Sequence, residues 1–191
     1  MDEKNGRLSL RDQRRGISIF SLAIFFLISC SIFAAMPPEK QPEAASNTEN
    51  PQIDRDYLYW GAHLRSINPS LSTGEIYDIG RAIVRYSSAY KLPPGLIVAV
   101  IKVESHGRLD AVSPKGAVGL MQVMPWWPKE LGIKGDLSSV DTNIRIGTHI
   151  LAENIKKWGH REGILRYYRG GGLSDDGYFV RVQRAMDGLA G

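Results

Sequence analysis

The sequence is poor in the residues that build disulfides, metal centres and phosphate sites. It has a single cysteine, Cys30, in 191 residues, so no internal disulfide can form. Its four histidines lack metal-ligand spacing, and no cysteine of the downstream domain joins them. It has no glycine-rich phosphate loop and no nucleophile elbow. We therefore expect no metal and no cofactor, and chemistry carried by ordinary side chains.

The net charge is also small. A formal charge of +4 over the whole chain is too weak to indicate a nucleic-acid partner. The charge is unevenly spread, because residues 1–36 carry five Lys/Arg against three acids, whereas residues 37–52 carry one lysine against three glutamates. A mildly basic remainder is compatible with anionic polymers or lipid, although most such charge is only solvated surface.

The N-terminal segment has a long run without charge, residues 17–36, with positive charge before it and acidic sequence after it. Twenty helical residues span ~30 Å, the thickness of a hydrocarbon core. The positive-inside rule then predicts a cytoplasmic N-terminus and export of residues 37–191. Three fates fit the run: an uncleaved transmembrane anchor, a signal peptide cut near Ala34 and Ala35, and lipidation at Cys30, since residues 27–30 resemble a bacterial lipobox.

Three regions follow from composition. Residues 1–36 form a basic stub with the anchor or signal helix. Residues 37–52 are rich in Pro, Glu, Gln, Asn and Ser, which is typical of a flexible linker. Residues 53–191 form one globular domain of ordinary composition.

The domain is predicted to be mostly α-helical, with about six helices around one core. Ser72 and Glu75 form a capping-box pattern, and Pro94 suits the first turn of a new helix. Asp141 is placed to cap a later helix that Gly159 closes. The segment 94–103 is the exception, because its β-branched residues fit a buried strand equally well.

Glu104 follows this apolar segment. If residues 94–105 are helical, Glu104 shares one face with Ile97, Val100 and Ile101 and lies on the buried side. Burial and the negative end of the helix dipole would both raise its pKa and suit it to act as a general acid. The alternative is a helix-end glutamate that points to water.

The surrounding residues resemble the soluble lytic transglycosylase (SLT) domain family, which has a goose-type lysozyme-like fold and cleaves bacterial peptidoglycan. The resemblance covers roughly residues 75–185. Its blocks occur in family order: Glu104-Ser105, Ala111-Val112-Ser113, Gly116-Ala117-Val118-Gly119-Leu120-Met121-Gln122, Met124-Pro125, and Asp141-Thr142-Asn143-Ile144 with Gly147. This resemblance implies that 94–105 is a helix in a mostly α lysozyme-like domain.

The resemblance also implies the reaction. Glu104 would be the single catalytic acid/base, whereas most glycosidases use two carboxylates. It would protonate the glycosidic oxygen between N-acetylmuramic acid and N-acetylglucosamine, and the muramoyl C6 hydroxyl would close onto C1. The product would be a 1,6-anhydro sugar, with the substrate N-acetyl group shielding the cationic centre.

Five further residues are implied to bind substrate: Ser113, Gln122, Met124, Tyr167 and Tyr178. Four of them also have an ordinary structural explanation: a loop cap for Ser113, a surface amide for Gln122, and core packing for Met124 and Tyr178. For Tyr167 the alternative is that its neighbour Tyr168 is the functional ring. The block at residues 166–170 departs from the family pattern, since Arg166 and Tyr168 replace its Ala and Asn. Trp126-Trp127 offers a stacking face for sugars or a buried anchor.

The most concrete hypothesis is a lytic murein transglycosylase of the bacterial inner membrane, whose catalytic domain faces the periplasm or cell envelope. Its partners would be peptidoglycan strands, the membrane, and an envelope or secretion-system assembly. Two alternatives are a lysozyme-type hydrolase, for which Asp110 is the candidate water-activating base, and a non-catalytic glycan-binding scaffold. The sequence does not distinguish cleavage at chain ends from cleavage in chain interiors.

Overall fold

The computed structural model describes residues 51–169 and 176–189, all within the compact unit Met36–Gly191. The predictions for Cys30, the apolar run and residues 37–50 lie outside these residues. The described chain is helical, with two isolated antiparallel bridges and no strand in those ranges. Its helices are α1 (Pro51–Ile67), α2 (Thr73–Tyr90), α3 (Pro94–Ser105), α4 (Trp127–Glu130), α5 (Val140–Trp158), α6 (His160–Arg169) and α7 (Asp176–Asp187).

The mostly α prediction is confirmed, and two of the predicted helix starts have the expected chemistry. Ser72 caps α2, with its hydroxyl accepting from the Glu75 amide while the Glu75 carboxylate accepts from the Ser72 amide. Pro94 occupies the first turn of α3, where its missing N–H leaves no bond unmade. Residues 94–105 are thus a helix, and the strand alternative is excluded.

The predicted cap of α5 is wrong by two residues. Ser139 is the cap and accepts a hydrogen bond from the Thr142 amide, whereas Asp141 lies in the first turn. There its carboxylate accepts from the Tyr86 hydroxyl at 2.7 Å, which ties the start of α5 to α2. The predicted end at Gly159 is confirmed.

The core surrounds α3. Every residue from Leu96 to Ile101 is fully buried, so no side of this part of the helix faces water. Core side chains from α2, α5, α6 and α7 pack in the same cluster. Burial of apolar area contributes about 25 cal/mol per Å², so this fully buried stretch contributes to the stability of the fold along its whole circumference. Its two ends reach the surface: Pro94 and Gly95 at the start, and the C-terminal turn with Glu104.

Helix α1 was not predicted, and its first two residues fall in the segment assigned to the linker. It packs closely on α2 through glycines on both helices. A side chain on Gly61 would collide with the backbone of Ile76, and one on Gly80 with the backbone of Tyr57. The two backbones are therefore in direct contact, which fixes α1 to the domain. Across residues 51–169 and 176–189, no helix is long and apolar enough to span a bilayer.

Candidate active site

Glu104 lies in the last turn of α3, on the face that the three-and-four spacing predicted. It is half-buried, and the next residue, Ser105, is fully buried. The Tyr178 hydroxyl, from α7, donates to Glu104 Oε1 at 2.6 Å. Tyr178 itself is 1% exposed, so one oxygen of the carboxyl group faces a buried phenol rather than water. The water-pointing alternative is therefore excluded.

This environment changes the proton affinity of Glu104. Burial raises its pKa from an ordinary 4.5 to about 7, although the Tyr178 hydrogen bond and the nearby positive charge of Arg181 both oppose the rise. A carboxyl group with this pKa is partly protonated at neutral pH. It can donate a proton to a leaving oxygen and then accept one back.

A second tyrosine, Tyr167 of α6, comes to the same region. Its hydroxyl donates to the Met121 carbonyl at 2.6 Å. Burial, followed by the nearby Glu104 charge, raises the pKa of Tyr167 well above its usual range. Gly147 of α5 makes room for this contact, since a methyl group there would lie 2.6 Å from Met121 Sδ and 3.0 Å from the Tyr167 oxygen.

The loop after α3 is held by its own polar side chains. Ser113 Oγ accepts from the Ala117 amide at 3.0 Å, which is the loop-cap role. Gln122 Nε2 donates to the carbonyls of Ala111 and Gly119 at 3.1 and 3.0 Å, and its backbone is left-handed, with φ of 50°. Gly119 also has a left-handed backbone, with φ of 76°, which glycine adopts without strain.

Asn143 of α5 fastens this loop to the domain, and sequence analysis assigned it no role. It is 1% exposed. Its Nδ2 donates to the carbonyls of Val118 and Leu137 at 2.8 and 2.9 Å, and its Oδ1 accepts from the Met121 amide at 2.8 Å. One buried amide thus bonds to three backbone groups, of which the Val118 carbonyl also accepts from the Val123 amide. The signal was present, because Asn143 belongs to the Asp141–Ile144 block.

The remaining predicted residues are less directly placed. Met124 is half-buried, and none of the hydrogen bonds among the described residues joins Glu104 to Ser113 or Gln122. Trp127 packs on the core while Trp126 is 48% exposed, so only Trp126 is free to stack on a ligand. Asp110 is exposed, and the side chain of Tyr168 lies outside the description.

The residues brought together can therefore do proton chemistry on an oxygen. The Glu104 carboxyl group accepts from Tyr178, and Tyr167, Tyr178 and Arg181 set its surroundings. No group of three His, Cys, Asp or Glu side chains in the described ranges is arranged to hold a metal ion. Arg181 was not predicted, since only the packing of α7 on α3 brings its charge near Glu104.

Comparison with other proteins identifies relatives of this chain. A protein described as "Transglycosylase" from Enterobacteria phage PRD1 is 38% identical over 85 residues, which is 44% of this chain and 32% of the phage protein. The chain thus spans about a third of the length of that relative.

Two solved structures also overlap with it. The 70 kDa soluble lytic transglycosylase SLT70 of Escherichia coli is 26% identical, with a TM-score of 0.45 over 78% of this chain and 26% of that one. An inactive variant of the lytic transglycosylase Slt of Pseudomonas aeruginosa is 20% identical, with a TM-score of 0.43 over 72% and 27%.

The family match is more extensive in this chain. The family described as the Transglycosylase SLT domain matches residues 81–185, which is more than half of the sequence and includes Glu104, the loop, Asn143 and both tyrosines. This chain belongs to the Transglycosylase SLT domain family.

Proposed function

We propose that the chain is a peptidoglycan lytic transglycosylase, which cleaves the β-1,4 bond between N-acetylmuramic acid and N-acetylglucosamine. One observation carries the proposal: in a member of the SLT family, a single half-buried glutamate with a pKa near 7 is held by a buried tyrosine. A second carboxylate is not needed for the reaction proposed below.

The reaction uses the same carboxyl group twice. Glu104 donates its proton to the glycosidic oxygen, and the C1–O bond breaks, releasing the 4-hydroxyl of N-acetylglucosamine. The muramoyl C6 oxygen then bonds to C1, and its proton returns to Glu104. The products are a free 4-hydroxyl end and a 1,6-anhydro end, with no water consumed. Acid/base catalysis of this kind contributes ~10²–10⁴ in rate.

We assign roles to the neighbouring residues within this proposal. Tyr178 orients the Glu104 carboxyl group through its hydrogen bond, and Tyr167 fixes the Met121 backbone beside it. Ser113 and Gln122 stabilise the loop that would form the floor of the sugar-binding cleft, and Met124 would line that cleft.

The decisive experiment digests purified peptidoglycan with the full-length chain in detergent and reads the product masses. We expect 1,6-anhydro ends from the wild type, and a loss of rate of ~10²–10⁴ for Glu104→Gln. Asp110→Asn is the matched control, because it makes the same chemical change in the nearby exposed loop. If the wild type produces reducing ends and Asp110→Asn does not, the enzyme is a hydrolase and not a transglycosylase. An absence of product would favour a glycan-binding scaffold.

We also propose that residues 17–36 attach the protein to the bacterial inner membrane, with residues 37–191 on the periplasmic side. The support is the uncharged run with positive charge before it. Fatty-acid labelling of the wild type and of Cys30→Ala separates the alternatives. Label that is lost in Cys30→Ala indicates a lipoprotein. An unlabelled protein that remains in the membrane fraction indicates the uncleaved anchor, and its release from that fraction would contradict the proposal.

A further inference from the structure

Helix α1 contacts the turn that directly follows Glu104, although α1 lies outside the residues that match the family. The contact is made by Asn68, the first residue after α1, whose Nδ2 donates to the Gly107 carbonyl at 3.0 Å. Asn68 and Gly107 are 39 positions apart in the sequence, and Gly107 comes three residues after Glu104. The N-terminal helix therefore reaches the backbone within one helical turn of the proposed proton donor.

The Asn68 side chain is held in the orientation that this bond requires. Its Oδ1 accepts from the Ser70 amide at 3.2 Å and from the Ser70 hydroxyl at 2.6 Å, which leaves Nδ2 turned towards Gly107. The Asn68 amide donates to the carbonyl of Leu64 at 2.8 Å, and the Leu64 side chain is fully buried. Asn68 is thus anchored through its backbone and through both ends of its side-chain amide, so it forms a rigid link between α1 and the turn.

The turn after α3 has an uncommon backbone conformation. His106 and Gly107 are both left-handed, with φ of 54° and 72°. Glycine adopts this conformation easily, whereas a residue with a side chain seldom does, so the turn is unfavourable at His106 unless other contacts hold it. Because the turn ends α3 at Ser105, its conformation decides where the last helical turn, which carries Glu104, stops.

Two hydrogen bonds hold Gly107 from opposite directions. From inside α3, the buried Ser105 hydroxyl accepts from the Gly107 amide at 3.1 Å and donates to the Ile101 carbonyl at 3.1 Å. From α1, Asn68 donates to the Gly107 carbonyl. The approach is close, since a methyl group on Gly107 would lie 3.3 Å from Asn68 Cβ. The turn is therefore fixed partly by α3 itself and partly by α1.

The environment of Glu104 depends on this turn. Burial is the largest cause of the rise in the Glu104 pKa to about 7. Glu104 lies in the last turn of α3, and the ends of helices fray when nothing holds them. Fraying there would admit water to the carboxyl group and separate it from the Tyr178 hydroxyl. A turn that stays closed therefore keeps a proton on Glu104 at neutral pH.

We propose that Asn68 is a positioning residue for Glu104: from the end of α1 it holds the turn after α3 closed, and so keeps the Glu104 carboxyl group half-buried beside Tyr178. The inference rests on the proposed function, because that function makes Glu104 the proton donor. It makes α1 part of the active site, although the residues that match the family begin only at residue 81.

The first test compares kcat/KM of the full-length wild type and of Asn68→Ala on soluble glycan strands at pH 5 and pH 8. We expect the pKa of Glu104 to fall from about 7 towards 4.5 in the variant, because water reaches the carboxyl group. A fall of about one pH unit lowers the protonated fraction of Glu104 about 10-fold at pH 8 and hardly at all at pH 5. The variant should therefore lose about 10-fold in kcat/KM at pH 8 and less than about 2-fold at pH 5. Equal losses at the two pH values would indicate a general loss of structure and would overturn the proposal.

The matched control is Ser72→Ala, four residues further along the chain. Ser72 bonds to Glu75 at the start of α2, so its replacement weakens a helix cap instead of the contact with the turn. We expect Ser72→Ala to lower the thermal stability of the protein and to leave the ratio of kcat/KM at pH 5 and pH 8 unchanged. A change in this ratio as large as that in Asn68→Ala would show that the ratio reports stability, and the positioning role would be wrong.

A direct titration of Glu104 separates this inference from the proposed function. NMR of the labelled glutamate carboxyl groups, with the Glu104 signal assigned by its absence in Glu104→Gln, should give a midpoint near pH 7 for the full-length wild type and a lower one for Asn68→Ala. Gly107→Ala should move the midpoint in the same direction, because its left-handed φ is strained for alanine and its methyl group presses on Asn68.

The two proposals then fail in different ways. If the midpoint moves in these variants but the wild type cleaves no strand, the role of Asn68 is correct and the transglycosylase is not. If the wild type releases 1,6-anhydro ends and the midpoint stays near pH 7 in the folded Asn68→Ala protein, the transglycosylase is correct and the role of Asn68 is not.

Discussion

The two sides of Glu104 are built from different interactions. On one side is the loop wall, which we define as residues 111–124 with Asn143 and Tyr167. It is held by neutral hydrogen bonds to backbone groups. On the other side is the α7 wall, Tyr178 and Arg181, which acts on the Glu104 carboxyl group itself by a hydrogen bond and by charge.

Each wall contains a tyrosine, and the two tyrosines have different roles. The Tyr167 hydroxyl donates to the Met121 carbonyl, so it fixes a backbone position. The Tyr178 hydroxyl donates to Glu104 Oε1 and favours the ionised form. The comparison indicates that the loop wall sets the geometry of the site, while the α7 wall sets its proton affinity. Changes in the first should alter stability, and changes in the second should alter pH dependence.

The largest effect is expected from Asn143→Ala in the loop wall. The substitution leaves the Met121 amide and the Leu137 carbonyl without their Asn143 partner, at about 1–3 kcal/mol for each group, while the Val118 carbonyl keeps the Val123 amide as a donor. Partial access of water should limit the total loss of unfolding free energy to about 4 kcal/mol. Urea denaturation measures it. A loss below 1 kcal/mol would show that the loop does not depend on this side chain.

Glu104→Gln should stabilise the protein at neutral and alkaline pH. The pKa of Glu104 is about 7 in the folded state and 4.5 ordinarily, so the folded state binds its proton more tightly and loses stability as pH rises from 4.5 to above 7. Removing the charge should add up to about 3 kcal/mol at pH 8 and nothing below pH 4.5. Denaturation across this pH range checks the prediction, and a difference independent of pH would contradict it.

Tyr178→Phe and Tyr167→Phe form a matched pair across the two walls. We expect kcat/KM of the wild type to fall above pH 7 as Glu104 loses its proton. Tyr178→Phe removes a bond to the ionised form, which contributes at most about 1.5–3 kcal/mol, and should move this fall to higher pH. Tyr167→Phe should reduce kcat and leave the pH profile in place. Identical pH profiles of kcat/KM for the two variants would contradict the assignment of different roles to the two walls.

The smallest effect is expected away from both walls, at His149. It is 2% exposed, and in the described part of the chain neither ring nitrogen has a hydrogen-bond partner. Burial lowers its pKa, with Arg145 acting in the same direction and Glu153 in the opposite one, while the Tyr90 ring packs against it. Stability should therefore fall as pH drops below 6.5, and His149→Leu should recover about 1 kcal/mol at pH 5. Thermal unfolding at pH 5 and pH 8 measures this change, and equal shifts at both would contradict the assignment.

Features with a local cause were predictable from the sequence. The capping box at Ser72 and the proline at the start of α3 involve neighbours three residues apart or fewer, and the structure has both. The cap of α5 was misplaced because Ser139 and Asp141 are both good capping residues. Asp141 instead bonds to Tyr86, a partner 55 residues away that no local pattern reveals.

The residues of the site also divide into those that the sequence predicted and those that it did not. Helical spacing placed Glu104 on the buried face, and the family resemblance identified Tyr178, whose contact with Glu104 spans 74 residues. The hydrogen bonds of Asn143 and the effect of the Arg181 charge on Glu104 depend on how α5 and α7 pack. Hydrophobic periodicity does not encode that packing.

The contact of α1 with α2 has a consequence for where the protein can be divided. The family match begins at residue 81, in the middle of α2 and immediately after Gly80. A fragment cut there would lose α1 and the half of α2 against which it lies, including Gly61 and Ile76. The segment that matches the family is therefore shorter than the smallest piece expected to fold independently, which includes the part of α1 from Tyr57 to Gly61 that contacts α2.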